Sequence, residues 1–425
     1  MKMENRKSGL IGHPLGHSIS PVIHSYLGKR LGINTDYTLM DTEETDLDKR
    51  MVFLKENDVC GVNVTIPYKT DVIKYLSDRD EAVEKIGACN SIVIRPGSMT
   101  GYNTDHSGLK RALDDYGIDL KDKRVAILGA GGASKAVRYL CEKEHAREIL
   151  QFNRTVREGV LPLKDAPVLA ADGGFDVVFQ STSVGMYPKA DDCIIDDPLF
   201  YGNCRKGFDL VYNPFETSFM KRLKEAGGEA HNGLRMLLYQ GVEAFKLFND
   251  VDDIDPSTEK DCYLNMLIAM NRVLVLCGMM GCGKSTTGRR LCNGADRIFI
   301  DTDDYIVKKT GMSINDIFAT QGEAVFRQME HEALSEIKSA VDDDKEHEYV
   351  ISLGGGMCTE NNIPIIRSMG ATAYLRQDAV TLAKRLEGSD DRPLLKDNDN
   401  LKTIRALLEK REDLYMEAAD EIVDY

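Results

Sequence analysis

Residues 278–286 restrict the possible folds of this chain more than any other stretch. They read Gly-Met-Met-Gly-Cys-Gly-Lys-Ser-Thr and match the phosphate-binding pattern G-x-x-x-x-G-K-[ST] in full. The apolar run Val273–Cys277 predicts a strand before them, and Lys284–Cys292 predicts the start of a helix after them. In that setting the backbone N–H groups of the glycine loop face a polyphosphate, Lys284 reaches its oxygens, and Ser285 offers a hydroxyl to Mg²⁺. The pattern therefore predicts that the last third of the chain binds a nucleoside triphosphate.

Length and charge limit the classes of protein to consider. A chain of 425 residues with 42% hydrophobic content should form two or three domains. A net charge of −15 argues against a nucleic-acid or anionic-membrane surface, so local basic residues must bind any anionic substrate. The ten cysteines form no C-x-x-C pair, residues 1–7 lack the apolar core typical of a signal peptide, and no apolar run approaches membrane-spanning length. We expect a cytoplasmic protein with small-molecule partners and no zinc site; composition leaves the oligomeric state open.

The first hundred residues predict an α/β layer with parallel strands. Short β-like runs at 9–11, 37–40, 61–65 and 91–94 alternate with helical patterns at 21–31 and 47–57. Polar clusters at 17–21, 63–69, 88–91 and 103–105 lie at predicted strand ends or helix starts, where open α/β sheets bind ligands. Each cluster taken alone could be a helix cap or a solvated surface. Four together predict a small-molecule site.

A second glycine turn follows the apolar run at 124–128. It reads Gly-Ala-Gly-Gly-Ala-Ser over residues 129–134 and departs from a strict G-x-G-x-x-G, so a turn without a ligand stays open. The next predicted strand, 148–152, ends in Asn153, Arg154 and Thr155. NAD-binding folds carry an acidic residue near this position, whereas an arginine suits a 2′-phosphate. The segment therefore favours NADP over NAD.

Two later segments complete this part of the chain. Further strands are predicted at 176–180 and 207–211, and a helix at 234–248 carries Gln240, which by itself is more often a satisfied core amide. Residues 249–261 are acidic with one proline, which predicts a surface loop or linker. We place the domain boundary between about 250 and 271.

Beyond the P-loop, strands predicted at 298–300, 349–353 and 371–375 alternate with helices and indicate a parallel sheet. Asp301 and Asp303 follow the first of these strands, where carboxylates either cap a helix or hold Mg²⁺ and orient a hydroxyl. Glycines 354–356 would let a substrate approach the backbone closely. Residues 389–395 predict a mobile lid that places Arg392 over the phosphates.

These motifs resemble two known families joined end to end. Residues 7 to 262 resemble shikimate dehydrogenase through Ser18 and Ser20, the segment N-V-T-I-P-Y-K at 63–69, and N-T-D at 103–105. Residues from 272 resemble shikimate kinase through the P-loop, D-T-D at 301–303, G-E-x-x-F-R at 322–327, glycines 354–356, R-P-L-L at 392–395 and Arg411.

The resemblance implies an α/β fold in three parts. The first two form a shikimate-dehydrogenase-like two-layer fold: an α/β substrate domain at about 1–105 and 233–262, and a Rossmann NADP domain at about 106–232. A linker region at 250–271 leads to the third part, a P-loop nucleoside-monophosphate-kinase-like domain with a parallel sheet at 272–425.

The same resemblance implies two activities and their residues. The first is NADPH-dependent reduction of 3-dehydroshikimate to shikimate, and the second is phosphorylation of shikimate by ATP with Mg²⁺. The implied catalytic residues are Lys69 and Asp105 for the first reaction and Asp303, Lys284 and Arg392 for the second. Substrate would bind Ser18, Ser20, Thr65, Asn90, Tyr212 and Gln240 in the first part and Arg327, Gly355 and Arg411 in the second. NADP(H) would bind Gly129, Ala130, Gly131, Gly132, Ala133, Asn153, Arg154, Thr155, Arg157 and Gly233; ATP would bind Gly281, Cys282, Gly283, Lys284, Ser285 and Thr286; Mg²⁺ would bind Ser285 and Asp301.

The chain departs from both family patterns in places. His106 replaces a glycine after N-T-D, Gln180-Ser181 replaces Asn-Ala, and the stretch from 155 to 176 is short for its usual helix. Because Tyr425 falls about where the kinase family reaches its last strand, we expect weaker nucleotide affinity or completion by another element. Two alternatives remain open: a non-catalytic kinase-like module that binds shikimate or nucleotide, and quinate as a substrate of the first part.

Overall fold

The computed structural model describes residues 6–16, 18–387 and 400–424. The chain divides into two compact units, Met1–Asp255 and Pro256–Tyr425. No helix in the described parts is both long enough and apolar enough to cross a membrane.

The first unit contains two six-stranded sheets. Its strands are β1 (Arg6–Gly12), β2 (Thr35–Asp41), β3 (Val59–Val64), β4 (Asp78–Arg79), β5 (Ser91–Arg95), β6 (Ser98–Tyr102), β7 (Arg124–Leu128), β8 (Glu148–Asn153), β9 (Leu161–Pro162), β10 (Phe175–Gln180), β11 (Cys204–Asp209) and β12 (Glu229–His231). Its helices are α1 (Ser20–Leu31), α2 (Leu47–Glu56), α3 (Glu81–Ile86), α4 (Thr104–Asp115), α5 (Gly132–Lys143), α6 (Ala166–Ala171), α7 (Pro198–Tyr201), α8 (Ser218–Glu225) and α9 (Leu234–Asn249).

The first sheet has the strand order β2-β1-β3-β5-β6-β4 and is mixed, not parallel throughout as predicted. Strand β1 pairs in parallel with β2 and β3, whereas β5 is antiparallel to both β3 and β6. The reason is local. Strands β5 and β6 are joined through Pro96 and Gly97, and Gly97 has φ of +80°, so this two-residue connection forms a hairpin. The buried core of the first sheet includes Ile11, Val62 and Ile92.

The second sheet has the order β12-β11-β10-β7-β8-β9, and every pairing in it is parallel. This is the Rossmann-type sheet expected between about 106 and 232. Its core is aromatic and includes Phe152, Phe175 and Phe200. The stretch that is short in sequence still forms a six-residue helix, α6, before β10.

Helices α4 and α9 pack closely against each other. Gly108 lies at their contact: a Cβ there would be 2.7 Å from the Gln240 backbone nitrogen and 2.9 Å from the Met236 carbonyl oxygen. Helix α4 begins with Thr104 and Asp105, and α9 carries Gln240. Because Gly108 has no side chain, helix α4, which carries Asp105, can approach α9 closely at Gln240.

The second unit is a five-stranded parallel sheet with helices, as predicted. The strand order is β14-β15-β13-β16-β17. The strands are β13 (Val273–Cys277), β14 (Arg297–Asp301), β15 (Glu348–Ser352), β16 (Ala371–Arg376) and β17 (Glu421–Asp424). The helices are α10 (Pro256–Asn271), α11 (Lys284–Cys292), α12 (Thr302–Thr310), α13 (Ile314–Gln321), α14 (Glu323–Asp343), α15 (Ile363–Arg367), α16 (Ala379–Arg385) and α17 (Asn400–Ala418).

The predicted linker at 250–271 differs from the structure. Residues 256–271 form the helix α10, which begins at Pro256 and belongs to the second unit. Proline is favourable at the first position of a helix because its missing N–H would have no partner there. The acidic composition that suggested a loop is misleading because Glu259 and Asp261 are buried.

We predict that Gly108→Ala destabilises the first unit by about 1–3 kcal/mol, because the added methyl group would overlap backbone atoms of α9. Urea unfolding of the full chain measures this change. Gly202→Ala is the matched control, since a Cβ at Gly202 would lie at an ordinary 3.5 Å from its nearest neighbour. Equal stability of the two variants would contradict the prediction.

Candidate active sites

The first candidate site is centred on an ion pair between Lys69 and Asp105. The lysine ammonium donates to Asp105 Oδ2 at 2.7 Å, and the two side chains are 15% and 8% exposed. Lys69 follows β3, and Asp105 lies in the first turn of α4. Their low exposure strengthens the electrostatic interaction between them.

Asn90 fixes the position of the aspartate. Its side-chain amide donates to Asp105 Oδ1 at 2.8 Å, and its carbonyl accepts the backbone N–H of Thr104 at 2.7 Å. One buried amide therefore orients both the start of α4 and the second oxygen of the carboxylate. The three polar clusters that supply Lys69, Asn90 and Asp105 meet in the structure.

The remaining predicted substrate residues lie on four other elements. Ser18 donates to the Ser20 hydroxyl at 3.2 Å, which pairs the two serines at the start of α1. Thr65 directly follows β3, and Gln240 is buried where α9 meets α4. Tyr212 lies just beyond β11, where burial raises the pKa of its phenol.

The glycine turn after β7 has the geometry needed for a dinucleotide. Gly129 has φ of +121°, and Gly131 precedes α5 without a side-chain cap. A Cβ at Gly131 would meet no atom within 4 Å, so the backbone there is open to a pyrophosphate. Gly132 lies beside the ion pair, since its Cβ would be 3.5 Å from Lys69 Cβ. Residues 129–133 therefore fit a nicotinamide cofactor whose reactive end would approach Lys69.

The basic residues expected at the ribose lie at the end of β8. Asn153 ends this strand and donates to the Thr155 carbonyl at 3.3 Å, and the exposed Arg154 follows it. Arg157 reaches back and donates to the Ala130 carbonyl in the glycine turn. Gly233 precedes α9 and approaches the Leu210 backbone so closely that a Cβ would overlap it.

A buried network beside the glycine turn was not predicted. Gln180 accepts the backbone N–H and hydroxyl of Thr182 at 2.6 and 2.7 Å and donates to the Val184 carbonyl at 2.9 Å. Asp209 is opposite Gln180 in the sheet register and accepts from Thr217 at 2.6 Å and from the Val211 backbone at 2.9 Å. Gln180, which departs from the family pattern, thus orders the loop after β10. Asp209 holds the segment that carries Tyr212.

The second candidate site is the P-loop between β13 and α11. Gly278, Gly281 and Gly283 have φ of +136°, +78° and +104°, a conformation that favours glycine. Lys284 is buried, and its ammonium donates to the carbonyls of Gly278 at 2.8 Å and Met279 at 3.0 Å. The loop therefore has the backbone curvature and the cation that a polyphosphate requires. Cys282 and Thr286 complete the predicted nucleotide segment; Cys282 is buried.

The predicted metal ligands are in contact. Ser285 donates to Asp301 Oδ2 at 2.6 Å, and Asp301 Oδ1 accepts the backbone N–H groups of Asp303 and Asp304 at 3.1 and 3.4 Å. Asp301 is therefore both a helix cap and a partner of the P-loop serine. A hydroxyl and a carboxylate side by side form a donor set that fits Mg²⁺.

The glycines at 354–356 approach three charged side chains. A Cβ at Gly354 would overlap the Asp303 carboxylate, and one at Gly356 would overlap the Arg327 guanidinium. Arg411 donates to the Gly355 carbonyl at 3.0 Å. Asp303, Arg327 and Arg411 thus lie around one glycine segment.

Two further side chains near this site were not predicted. Glu330 is buried and accepts from Arg327 at 2.6 Å; burial raises the pKa of its carboxyl to about 6, although Arg327 lowers it. Arg385, at the end of α16, donates to the carbonyls of Gly281 and Cys282, both at 3.4 Å. The spacing of Glu330, three residues after Arg327, could have indicated their helical pairing. Arg392 lies outside the described residues.

We predict a pH-dependent stability from Asp209. Burial raises the pKa of its carboxyl to about 7, so the folded chain keeps a proton that the unfolded chain releases near pH 4. Stability is therefore highest below pH 4 for this group and falls as the pH rises to 7, by at most about 4 kcal/mol.

Urea unfolding of the full chain and of Asp209→Asn between pH 4 and pH 8 measures this effect. The difference in unfolding free energy between the two proteins should change across that range and level off above pH 7. The matched control is Asp172→Asn, which removes an exposed carboxylate from the same half of the unit. Parallel curves for wild type and Asp209→Asn would contradict the prediction.

Comparison with known proteins gives a family match for a part of each unit. Residues 10–92 match the family model of the shikimate dehydrogenase substrate binding domain, and residues 280–425 match that of shikimate kinase. A shikimate dehydrogenase (NADP(+)) of Caldicellulosiruptor bescii is 35% identical over 269 residues, which is 59% of this chain and 92% of that protein. One from Halothermothrix orenii is 38% identical over 268 residues, or 57% of this chain and 90% of that protein.

Solved structures agree with these matches. A chorismate mutase/shikimate 5-dehydrogenase fusion protein from Clostridium acetobutylicum has a TM-score of 0.58 and 31% identity, over 61% of this chain and 96% of that one. Shikimate 5-dehydrogenase from Thermus thermophilus, in complex with NADP(H) and shikimate, has a TM-score of 0.55 and 30% identity, over 62% of this chain and 100% of that one. The chain therefore belongs to the shikimate dehydrogenase family and joins it to a shikimate kinase domain, as a bifunctional enzyme of the shikimate pathway.

Proposed function

We propose that the first unit reduces the C3 ketone of 3-dehydroshikimate with NADPH and that the second transfers phosphate from Mg-ATP to the C3 hydroxyl of the shikimate formed. The reductase assignment is supported chiefly by the Lys69–Asp105 ion pair, which has a distance of 2.7 Å and lies beside the glycine turn at Gly132. The second is supported by the contact of Ser285 with Asp301 and by the gathering of Asp303, Arg327 and Arg411 around glycines 354–356.

In the dehydrogenase, Lys69 donates the proton to the C3 oxygen and Asp105 orients that oxygen. A lysine held by a carboxylate at hydrogen-bonding distance is suited to proton transfer, because geometry is the first requirement of general acid catalysis. Asn90 keeps the aspartate in place through its 2.8 Å hydrogen bond. Bound NADPH supplies the hydride.

Other side chains bind the substrate and cofactor. Ser18 and Ser20 offer paired hydroxyls to the substrate carboxylate, while Thr65, Tyr212 and Gln240 contribute further polar groups. Residues 129–133 bind the pyrophosphate, Asn153, Thr155 and Gly233 complete the cofactor surface, and Arg154 and Arg157 bind the 2′-phosphate.

In the kinase, Lys284 and the P-loop backbone hold the phosphates, and Ser285 and Asp301 hold Mg²⁺, which neutralises phosphate charge when bound. Asp303 orients the shikimate hydroxyl and accepts its proton, and Arg327 and Arg411 bind the carboxylate. We assign Arg392 to neutralising the phosphate charge because it lies in the R-P-L-L motif. A module that only bound ligands would not need the phosphoryl-transfer set Lys284, Asp303, Arg327 and Arg392, so we favour a catalytic kinase over a non-catalytic module.

We also propose that both reactions take place in the cytoplasm. All ten cysteines are free thiols, which is typical of proteins in a reducing compartment.

We predict that Lys69→Ala and Lys284→Ala each impair one activity only. In the full chain, Lys69→Ala should lower the kcat of NADP-linked shikimate oxidation by about 10²–10⁴-fold, because the proton-transferring group is lost. Lys284→Ala should lower phosphate transfer from Mg-ATP to shikimate by about 10²–10³-fold. Each variant is the folding control of the other, and a wild-type chain without phosphate transfer would refute the kinase assignment.

We predict that Arg154→Asp changes the cofactor preference. The carboxylate should repel the 2′-phosphate and accept a hydrogen bond from the ribose, so kcat/KM for NADP should fall about tenfold or more relative to NAD. Measuring both cofactors with shikimate and with quinate tests the preference and the substrate together. Arg205→Asp, which changes an exposed arginine on β11, is the control. An unchanged NADP to NAD ratio in Arg154→Asp would contradict the role of this residue.

A further inference from the structure

Helix α10 lies outside both family matches, which cover residues 10–92 and 280–425. It nevertheless packs against β13, the strand that leads into the P-loop, and against α11, β15 and β16. Ten of its sixteen residues are buried, and they form an unbroken series from Asp261 to Ile268 together with Thr258 and Glu259. By its contacts, helix α10 belongs to the second unit.

Two polar side chains of α10 contact the elements that form the metal site. Both carboxylate oxygens of Asp261 accept from the Arg290 guanidinium, at 2.5 and 2.6 Å. Asn265 Oδ1 accepts from Arg297 Nη1 at 2.5 Å. Arg290 lies on α11 and Arg297 begins β14, so one helix is linked to both neighbours.

These two elements carry the residues that we assign to Mg²⁺. Helix α11 begins one residue before Ser285, and β14 ends at Asp301, whose carboxylate accepts from Ser285 at 2.6 Å. A relative shift of α11 and β14 would change the distance between hydroxyl and carboxylate. Asp261 is the stronger of the two attachments because its side chain is only 4% exposed and its pairing with Arg290 is bidentate.

We propose that Asp261 and Asn265 are positioning residues of the kinase, which hold α11 and β14 so that Ser285 and Asp301 meet at the phosphates. This inference rests on the proposed kinase function. The kinase active site then depends on a helix that precedes the stretch matching its family. Removing the Asp261–Arg290 pair shifts the P-loop helix relative to β14, which weakens the binding of Mg-ATP because Ser285 and Asp301 no longer meet.

The test compares the full-length wild type with Asp261→Ala, Arg290→Ala and the double variant. Each single variant should raise the KM and the dissociation constant for Mg-ATP by about tenfold or more. The double variant should be no worse than the more impaired single variant, because all three lose the same interaction. KM for shikimate in the kinase reaction and the dehydrogenase kcat should stay within about twofold, since Arg327, Arg411 and the dehydrogenase residues lie on other elements.

Controls separate positioning from general stability. Asp343→Ala removes an exposed carboxylate at the end of α14 and should change none of these values. The double variant guards against misfolding, because it removes both charges and leaves neither one buried without its partner. Three outcomes would overturn the inference. The effects of the two single variants could be additive, the KM for Mg-ATP could stay within twofold of wild type, or the KM values for Mg-ATP and shikimate could rise equally.

The test of Asp261 does not require that the chain transfers phosphate to shikimate. If the wild type transfers no phosphate to shikimate, the proposed kinase function fails, and the dissociation constants for Mg-ATP from calorimetry then decide the role of Asp261. Unchanged affinity in Asp261→Ala would overturn that role; a tenfold loss with intact dehydrogenase activity would support it.

Discussion

The dehydrogenase site depends on the close contact of α4 and α9 at Gly108. Without a side chain at that position, α4 approaches the backbone of α9 at Gln240, and Asp105 is placed one turn before the contact. Lys69 then meets Asp105 at 2.7 Å, and Asn90 fixes the carboxylate from its other oxygen. The site is thus the product of backbone packing as much as of its polar side chains, because a hydrogen bond of this length requires helix positions accurate to a fraction of an ångström.

Both units bind phosphate groups in the same physical way in our proposal. In each, a parallel strand ends in a glycine turn, and a helix begins directly afterwards, so that backbone N–H groups and the helix dipole face an anion. The turns differ in one respect that separates their functions. The P-loop contains a buried lysine, whereas the turn after β7 contains no charged residue and relies on Arg154 and Arg157 beyond β8. A triphosphate needs a cation at its reacting end, whereas a dinucleotide that carries a 2′-phosphate needs one at its ribose.

The errors of prediction have common physical causes. The acidic stretch before the P-loop was interpreted as a linker because charged residues are usually solvated. Asp261 is buried there because Arg290, 29 residues later, supplies its partner. Asp209 was overlooked for a related reason, since its partner Thr217 lies in a separate segment and its burial is not evident from a linear pattern. The pairing of Glu330 with Arg327 was accessible from their helical spacing of three residues. The antiparallel β5 and β6 follow from a short glycine-containing connection that the alternation of strands and helices concealed.

Local sequence by itself determined the parts of this protein whose chemistry lies in consecutive residues. These are the two strand–turn–helix units, the polar strand ends and the parallel P-loop sheet, because glycine geometry and hydrophobic periodicity act over a few residues. Only the tertiary structure decided which of these pieces meet. It brought Lys69 to Asp105, placed Asp303 and Arg327 at glycines 354–356, and attached α10 to α11, because such contacts depend on the packing of elements far apart in the chain.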